Sequence, residues 1–546
     1  MVIALALASL TLRQEVATNT AAAAGTHRIG VRPGAAGLAE LFDRTSGVTF
    51  TPQGNNYVRL ASQTDPAGNS TYYHSTFNVG TYDATRIEVA LTTMATYRYN
   101  SIRVWLNGCC TGSVGNPAGG LSTAYLANVV DFLKRCRSHG IYAILTTDWP
   151  PSFGGYTDNY AGCTAFASYN LVNLCAGGVA ANVAFFRDLA QGLVAQGAPL
   201  DAILAYELRN EYYYESDHPP LSWTSGPVTT ANGLSYDMGS ASSRQQMMDD
   251  GLVYFVDQVR AAILAVDPTA LVGVGFFWPQ DPNPTRIGDP RVIEVYPAID
   301  RSTVDLVDIH GYAVPADLTV PQLLENYKLA GHQQTKPIVL GEFGTFKSSY
   351  PSISAAAAVL QDWQLQTCAA QLKGWLLWTW DTQEPEAEPP MWAAVSGDGS
   401  INRSLAPSFR ADPCSATPVP GHFFTVAPCR VADTRAAEGP SGAPVLAANQ
   451  TRRFPVSGLC GVPWTAVAVA ANVTAVDPTE AGDLRAYPAG TTIPPASVLN
   501  FTEGRVRAND AVVALGVDGQ IAIQCDMSAT SRGHTHVIVD VTGYFQ

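Results

Sequence analysis

Between about residue 50 and residue 382, short apolar and β-branched runs alternate with longer stretches whose apolar positions recur every three or four residues. The short runs are Tyr57–Leu60, Ser101–Leu106, Ile141–Thr147, Ala202–Leu208, Leu271–Trp278, Val304–Tyr312, Pro337–Phe343 and Gly374–Trp380. The clearest helical stretch is Ala124–Cys136, where Tyr125, Val129, Phe132, Leu133 and Cys136 share one face and Gly140 follows. Ala181–Ala195 and Gln245–Val266 keep the same period, the second stopping at Asp267-Pro268. Such spacing predicts helices with one face on a core. The short runs are apolar almost throughout, as strands are when helices cover a parallel sheet. Eight strand–helix units predict a (β/α)8 (TIM) barrel of the α/β class rather than an open doubly wound sheet. No glycine-rich phosphate loop follows the first strand, which also weighs against a dinucleotide fold.

After about residue 405 the helical period disappears. Residues 411–422, rich in Pro, Ala and Ser, read as a linker. Short strands are then predicted at Ala466–Val476, Ser497–Phe501, Ala511–Val517, Ile521–Cys525 and His536–Phe545, with Asp518-Gly519 as a hairpin turn. The expected organisation is a signal-like segment at 1–26, a barrel domain at 27–410, the linker, and a smaller all-β, sandwich-like module at 423–546.

Composition narrows the classes. Apolar residues make up 47% of the 546, ample for packed cores, so a disordered chain is excluded. Charged residues are only 14%, against about 25% in an ordinary soluble protein, and the net charge is −14. With no Lys/Arg cluster, nothing offers a footprint for a nucleic-acid backbone. The 5 lysines against 27 arginines suggest a GC-rich bacterial genome. Val2–Leu10 is apolar and Ala21–Ala24 follows, which resembles a secretory signal without its basic start. No later segment is apolar for long enough to span a membrane. Ten cysteines, with no CxxC zinc spacing, fit an oxidising compartment. Cys163 and Cys175 are placed to close a short loop, while Cys136 and Cys368 sit in helical patterns and are expected as buried thiols. A secreted, extracellular monomer is the expectation.

In a barrel of this kind chemistry sits at the carboxyl ends of the strands. Those ends carry Arg103, Asn210 and Glu211, His310 and Tyr312, Glu342, and Trp378 and Trp380. Two carboxylates from different strands, ringed by aromatic and hydrogen-bonding side chains, are the equipment of glycosidic cleavage. One acid protonates the leaving oxygen, and one carboxylate meets the oxocarbenium-like centre. Aromatic rings supply flat apolar surface for sugar faces.

The segments Ala205-Tyr-Glu-Leu-Arg-Asn-Glu211, Asp308-Ile-His-Gly-Tyr312, Pro337-Ile-Val-Leu-Gly-Glu-Phe-Gly344 and Gly374-Trp-Leu-Leu-Trp378 resemble the clan of retaining (β/α)8 β-glycosidases. They are most similar to its family 5, the cellulase and mannanase group, over roughly residues 40–405. The resemblance implies Glu211 as general acid/base and Glu342 as nucleophile. It implies that Asn210 binds the sugar 2-hydroxyl, that Arg103 and Tyr312 orient Glu342, that His310 tunes Glu211, and that Trp378 carries the sugar. It implies no metal and no organic cofactor. Two departures stand out. The family's His at the end of strand 3 is replaced within Leu145-Thr-Thr-Asp-Trp149, by Thr147 or Asp148, and its Pro after Asn-Glu is Tyr212. Trp149-Pro-Pro-Ser-Phe-Gly-Gly-Tyr156 is similar to the strand-3 loop of the mannanase branch. Cys429-Arg-Val-Ala-Asp-Thr-Arg435, Pro488-Ala-Gly490 and Val539-Asp-Val-Thr-Gly-Tyr-Phe545 resemble a β-rich module of secreted bacterial proteins, for which attachment to cell wall or polysaccharide, substrate binding and stabilisation stay open.

Each candidate has a plainer reading. A glutamate is ordinarily a solvated loop residue, and Arg103, His310 and Tyr312 could be satisfied core residues. Trp378 and Trp380 share a strand face by parity, so one is platform and the other packing. Asp148, Trp149, Tyr212, Tyr213, Tyr214 and Trp223 either line sugar subsites or pack. Glu207 reads as structural, His534 and His536 as a weak metal pair, and Trp464 and Tyr487 as core. The leading reading is a secreted retaining β-glycoside hydrolase acting on β-1,4-glucan or β-mannan. Its rivals are a non-catalytic carbohydrate-binding barrel and a transglycosylase or glycolipid-cleaving enzyme. A serine hydrolase lacks its Gly-x-Ser-x-Gly elbow, and a zinc peptidase its His-Glu-x-x-His.

Overall fold

Eight parallel strands close into a barrel in the computed structural model of the chain. They are β1 (Gln53–Val58), β2 (Ser101–Trp105), β3 (Tyr142–Thr146), β4 (Ile203–Glu207), β5 (Val272–Phe277), β6 (Leu306–Ala313), β7 (Ile338–Thr345) and β8 (Trp375–Asp381). Each pairs with the next in sequence, and β8 pairs with β1. The structure describes residues 26–34, 37–65, 67–277, 290–314, 319–332, 335–381, 390–395, 400–409, 423–464, 466–516 and 519–545. The signal-like segment up to residue 25, the 411–422 linker, Trp278 and Asp518 lie outside them.

The helices follow the periods seen in the sequence. Helix Thr123–Ser138 starts where the Ser122 hydroxyl accepts the Tyr125 amide, and it buries Tyr125, Val129, Phe132, Leu133 and Cys136 against the barrel. Each such side chain contributes about 1.5–3 kcal/mol relative to exposure. Helices Ala176–Ala195 and Ala241–Leu264 extend the expected stretches upstream.

The barrel interior is layered. At the bottom, Ile29 and Leu41 of an N-terminal hairpin (Ile29–Pro33 with Ala39–Asp43) plug the ring against Tyr142, Ile144, Leu204, Leu306, Val339 and Leu376. Above that apolar floor lies a layer of buried polar side chains, Asn56, Arg103, Glu207, Asp308 and His310. β1 corrects the expected Tyr57–Leu60: the strand is the polar run Gln53–Val58, while Leu60–Thr64 pairs with Ser70–His74 as a hairpin over the barrel mouth. A polar strand is stable there because Asn56 points into the charged layer, where its side chain is hydrogen-bonded.

Beyond the barrel, two antiparallel sheets form a sandwich. One joins Phe423–Asp433, His534–Phe545, Ala468–Val476 and Arg507–Ala514; the other joins Gln450–Pro455, Gln520–Asp526, Gly482–Pro488 and Leu499–Phe501. Phe454, Val469, Val473, Leu484, Ile523 and Val539 fill the space between them. Arg507–Ala514 and Gln520–Asp526 lie in different sheets, so the segment around Gly519 crosses between sheets and is no hairpin. The local signal was sound, since Gly519 has φ +70°, but a tight turn leaves open which neighbour each strand finds. Tyr487 is core as expected. Trp464 is not: it is 57% exposed and carries the Arg403 guanidinium of the barrel domain at 4.7 Å from its ring centre.

Disulfides join Cys163 to Cys175, Cys429 to Cys460, and the sequence neighbours Cys109 and Cys110. Cys136 is a buried thiol. Cys368 is not; it is disulfide-bonded. It lies at the flank of helix Ile353–Ala369, beside the buried Thr367, half-exposed and open to a partner.

Candidate active site

β6 builds one wall of the site by simple alternation. Leu306 belongs to the apolar floor, Asp308 and His310 to the charged layer, and Tyr312 to the mouth, while Val307 and Ile309 face the helices. β7 departs from alternation. Its register against β6 shifts so that Ile309 pairs with Leu340 and His310 with Glu342. Leu340 and Phe343 face the helices, and the shift leaves both Gly341 and Glu342 on the inner side. Bulges of this kind re-aim a side chain.

Arg103, fully buried, is the hub. Its Nε and Nη2 donate to the two oxygens of Glu207 at 2.7 and 2.8 Å. Nη1 donates to Glu342 Oε1 at 2.8 Å and to Asn56 Oδ1 at 3.0 Å, and Nη2 reaches Asn210 Oδ1 at 2.7 Å. Asp308 Oδ2 lies 3.4 Å from Nε. Burial alone would discharge the guanidinium, but Glu207, Asp308 and Glu342 outweigh it and raise its pKa. One cation faces three carboxylates, so the layer holds too much negative charge. Burial, with the neighbouring Glu207 charge, pushes Asp308 up to about 7. Burial also raises Glu207, against the pull of Arg103. A Cβ on Gly341 would fall 1.9 Å from both Asp308 oxygens, so glycine is required before Glu342.

The Tyr312 hydroxyl donates to Glu342 Oε2 at 2.6 Å. His310 Nδ1 lies 3.0 Å from Glu211 Oε1 and 3.5 Å from Glu342 Oε2. Burial pushes the imidazole pKa down, but Glu342, Glu211 and Asp308 overcome it, and it ends above its ordinary value. One oxygen of Glu211 and one of Glu342 lie within 4.8 Å of each other, with a His310 nitrogen equally close to both. Glu211 is 7% exposed and Glu342 3%, at the inner edge of the mouth. Two triads, Glu207–Asp308–His310 and Glu211–His310–Glu342, hold potential metal-ligating atoms within 4.8 Å. In the first, the Arg103 guanidinium already pairs with both carboxylates.

The structure thus brings together Arg103, Asn210, Glu211, His310, Tyr312 and Glu342. Trp378 joins them in the mouth with Trp105, Tyr312 and Met391, its ring centre 5.3 Å from that of Trp105. Trp380 does not join them. The register of β8 on β1 shifts between Leu377 and Trp380, and Trp380 packs outward among the helices. The Trp378–Thr379 peptide is cis. Tyr212 and Tyr214 are core, bonded to each other at 3.1 Å, and Trp223 packs on the same core. Thr147 is buried and bonds backbone carbonyls of Leu106 and Trp149. Asp148 and Trp149 line a neighbouring cleft. Trp149 continues into a row of rings, Tyr169 at 3.8 Å, Tyr213 at 4.0 Å beyond it, then Phe277 at 5.8 Å. Arg291 lies over Tyr213 and Phe277 and brings Nη1 to 3.9 Å from Glu211 Oε2. Among the described residues, His534 and His536 belong to no metal-ligating cluster.

Sequence reasoning missed Asn56, Asp308, Arg291, Tyr169 and His74. Asp308 was legible, two residues before His310 on the inward parity of β6. Asn56 needed the strand to be placed over a polar run. His74 carried no signal: it arrives from the hairpin after β1 and stacks on Trp105 at 4.6 Å, and burial lowers its pKa to about 4, so the ring is neutral.

A family model described as "Cellulase (glycosyl hydrolase family 5)" matches residues 61–384. No curated protein matches the sequence. Solved structures similar in fold include an exo-β-1,4-mannosidase from Opitutaceae bacterium strain TAV5, at 17% identity and TM-score 0.44, covering 71% of this chain and 64% of that one. An endo-1,4-β-mannanase from Rhizomucor miehei is 13% identical with TM-score 0.46, covering 69% and 97%. A β-mannanase from the blue mussel Mytilus edulis is 15% identical with TM-score 0.44, covering 72% and 99%. The chain therefore spans less than two thirds of the first of these and nearly all of the other two.

Proposed function

The chain belongs to glycosyl hydrolase family 5, and on that footing we propose that it cleaves β-linked glucan or mannan by double displacement. Glu342 attacks the anomeric carbon while Glu211 gives its proton to the departing glycosidic oxygen. Glu211, now a carboxylate, then takes a proton from water, whose oxygen attacks the same carbon and releases Glu342. The observation that carries this reading is the short span between Glu211 and Glu342 oxygens, within 4.8 Å. Retaining enzymes hold their carboxyl groups about 5–5.5 Å apart, whereas inverting ones leave about 6.5–9.5 Å for a water.

The neighbours have roles in the same scheme. Arg103 and Tyr312 each occupy one oxygen of Glu342, fixing the carboxylate plane for attack. His310 beside Glu211 supplies a polar group to the proton that moves twice. Asn210, turned by its bond to Arg103, is placed for a sugar hydroxyl, and Trp378 offers a ring face in the mouth. An extracellular location is part of the proposal, supported by the Cys109–Cys110, Cys163–Cys175 and Cys429–Cys460 disulfides.

The test is a panel of soluble β-glucan, mannan and xylan substrates with reducing-end detection. Glu342→Ala and Glu211→Ala should each lower activity by several orders of magnitude, and NMR of the first product should show the β-anomer. An α-anomer, or parental rates in both variants, would overturn the assignment. Chromatography of the products separates hydrolysis from transglycosylation.

A further inference from the structure

Next to the reacting pair a cleft of about 370 Å³ opens between the ends of β2 and β3, lined by Trp105, Cys109, Asp148, Trp149, Ser152 and Tyr160. We propose that this cleft is a subsite for a pyranose ring adjoining the one being cleaved, with the Cys109–Cys110 disulfide as its apolar floor and Asp148 as its hydroxyl acceptor. The proposal rests on the glycosidase reading and adds the residues that would hold the next sugar.

Position comes first. Trp105 forms one wall of the cleft and also touches the centre, with the Arg103 guanidinium 4.7 Å from its ring and Trp378 at 5.3 Å. Arg103 in turn bonds Glu342, so the cleft begins one side chain from the bond-breaking carboxylate. Its volume falls among small-ligand sites, about 300–1,000 Å³.

The lining has the double character of a sugar. A pyranose presents C–H faces and a hydroxyl rim, and it binds where flat apolar surface meets a few polar groups. Trp149 is 37% exposed; Tyr169 backs it at 3.8 Å, and it also lines the cleft. The two bonded cysteines are soft, polarizable and carry no S–H donor, and Cys110 is fully buried beneath Cys109. Asp148 and the Ser152 hydroxyl supply the polar groups.

The floor is held rigidly before any ligand arrives. The Cys109 amide donates to Asn107 Oδ1 at 2.9 Å, and the Asn107 amide group is fixed by Gln63 at 2.9 Å and Asn78 at 3.1 Å. The Ser152 amide donates to the Gly108 carbonyl at 2.8 Å, tying the β2 loop to the β3 loop. On the far side Cys163–Cys175 closes the loop behind Tyr160. A surface already ordered loses little entropy when it binds, and so retains more of its contact energy as affinity.

The experiment measures binding of cello- and manno-oligosaccharides of two to six rings by calorimetry, using the full chain carrying Glu342→Ala. Cys109→Ser with Cys110→Ser, and separately Trp149→Ala, are added to that background. Each should weaken binding at least tenfold for chains long enough to fill the cleft. Both should also abolish the gain in affinity that one added ring produces in the background protein. If both bind every chain length as tightly as the background, the subsite does not exist. Trp149→Ala, at an exposed position, decides the matter even if the double serine variant does not fold. The glycosidase reading fails on a different observation, parental turnover in Glu342→Ala with the cysteines intact.

Discussion

Asp308→Asn isolates the excess negative charge beneath the active centre. Asp308 is 2% exposed, its oxygens find no hydrogen-bond donor among the described residues, and its pKa rises from 3.8 to about 7. Between those two values the folded chain keeps a proton that the unfolded chain has released. Stability therefore falls as pH rises through that window. A shift of about 3 units corresponds to about 4 kcal/mol across the whole window, at about 1.4 kcal/mol per unit. From pH 5 to pH 8 the parent should lose about 2–3 kcal/mol on this account. Asparagine cannot release the proton, so the variant escapes that loss. Urea unfolding of both proteins at pH 5, 6, 7 and 8 should show Asp308→Asn gaining on the parent by about 2–3 kcal/mol toward the alkaline end. A difference that stays flat over this range refutes the reasoning, because the surplus proton would then sit elsewhere or nowhere.

Gly341→Ala places a methyl group 1.9 Å from both Asp308 oxygens, and should cost about 1–3 kcal/mol in unfolding free energy and at least a hundredfold in kcat, since Glu342 moves with the bulge. Parental kcat in that variant would show that the bulge does not set the Glu342 position. Asn56→Ala removes the acceptor at 3.0 Å from Arg103 and the donor at 2.8 Å from the Gly341 carbonyl, and should destabilise by about 2–3 kcal/mol in urea melts. Tyr312→Phe deletes a 2.6 Å bond to Glu342 and should lower kcat/KM about 10–100-fold in steady-state assays, with unfolding little changed.

The glutamates were legible because catalysis in a barrel uses strand ends, and Glu211 and Glu342 each follow an apolar run. The same reading placed Trp378 and Trp380 on one face, since alternation is all that a sequence offers. The register shift of β8 on β1 separates them, and that shift is set by how two strands far apart in the chain pair. Asn56 was hidden for a related reason: a strand of Gln, Gly and Asn is favourable only where a buried guanidinium is already waiting.

Period and composition alone settled the eight-unit barrel, the helices that cover it and the all-β tail, because burying a face is a local pattern repeated along the chain. Which side chains meet is a different matter. The bulge that turns Glu342 inward, the ring closure that surrounds Arg103 with three carboxylates, and the loop ties that bring Cys109 beside Trp149 all join residues distant in sequence. Their energies arise from charges and contacts in a shared low-dielectric interior, and that interior exists only once the ring has closed.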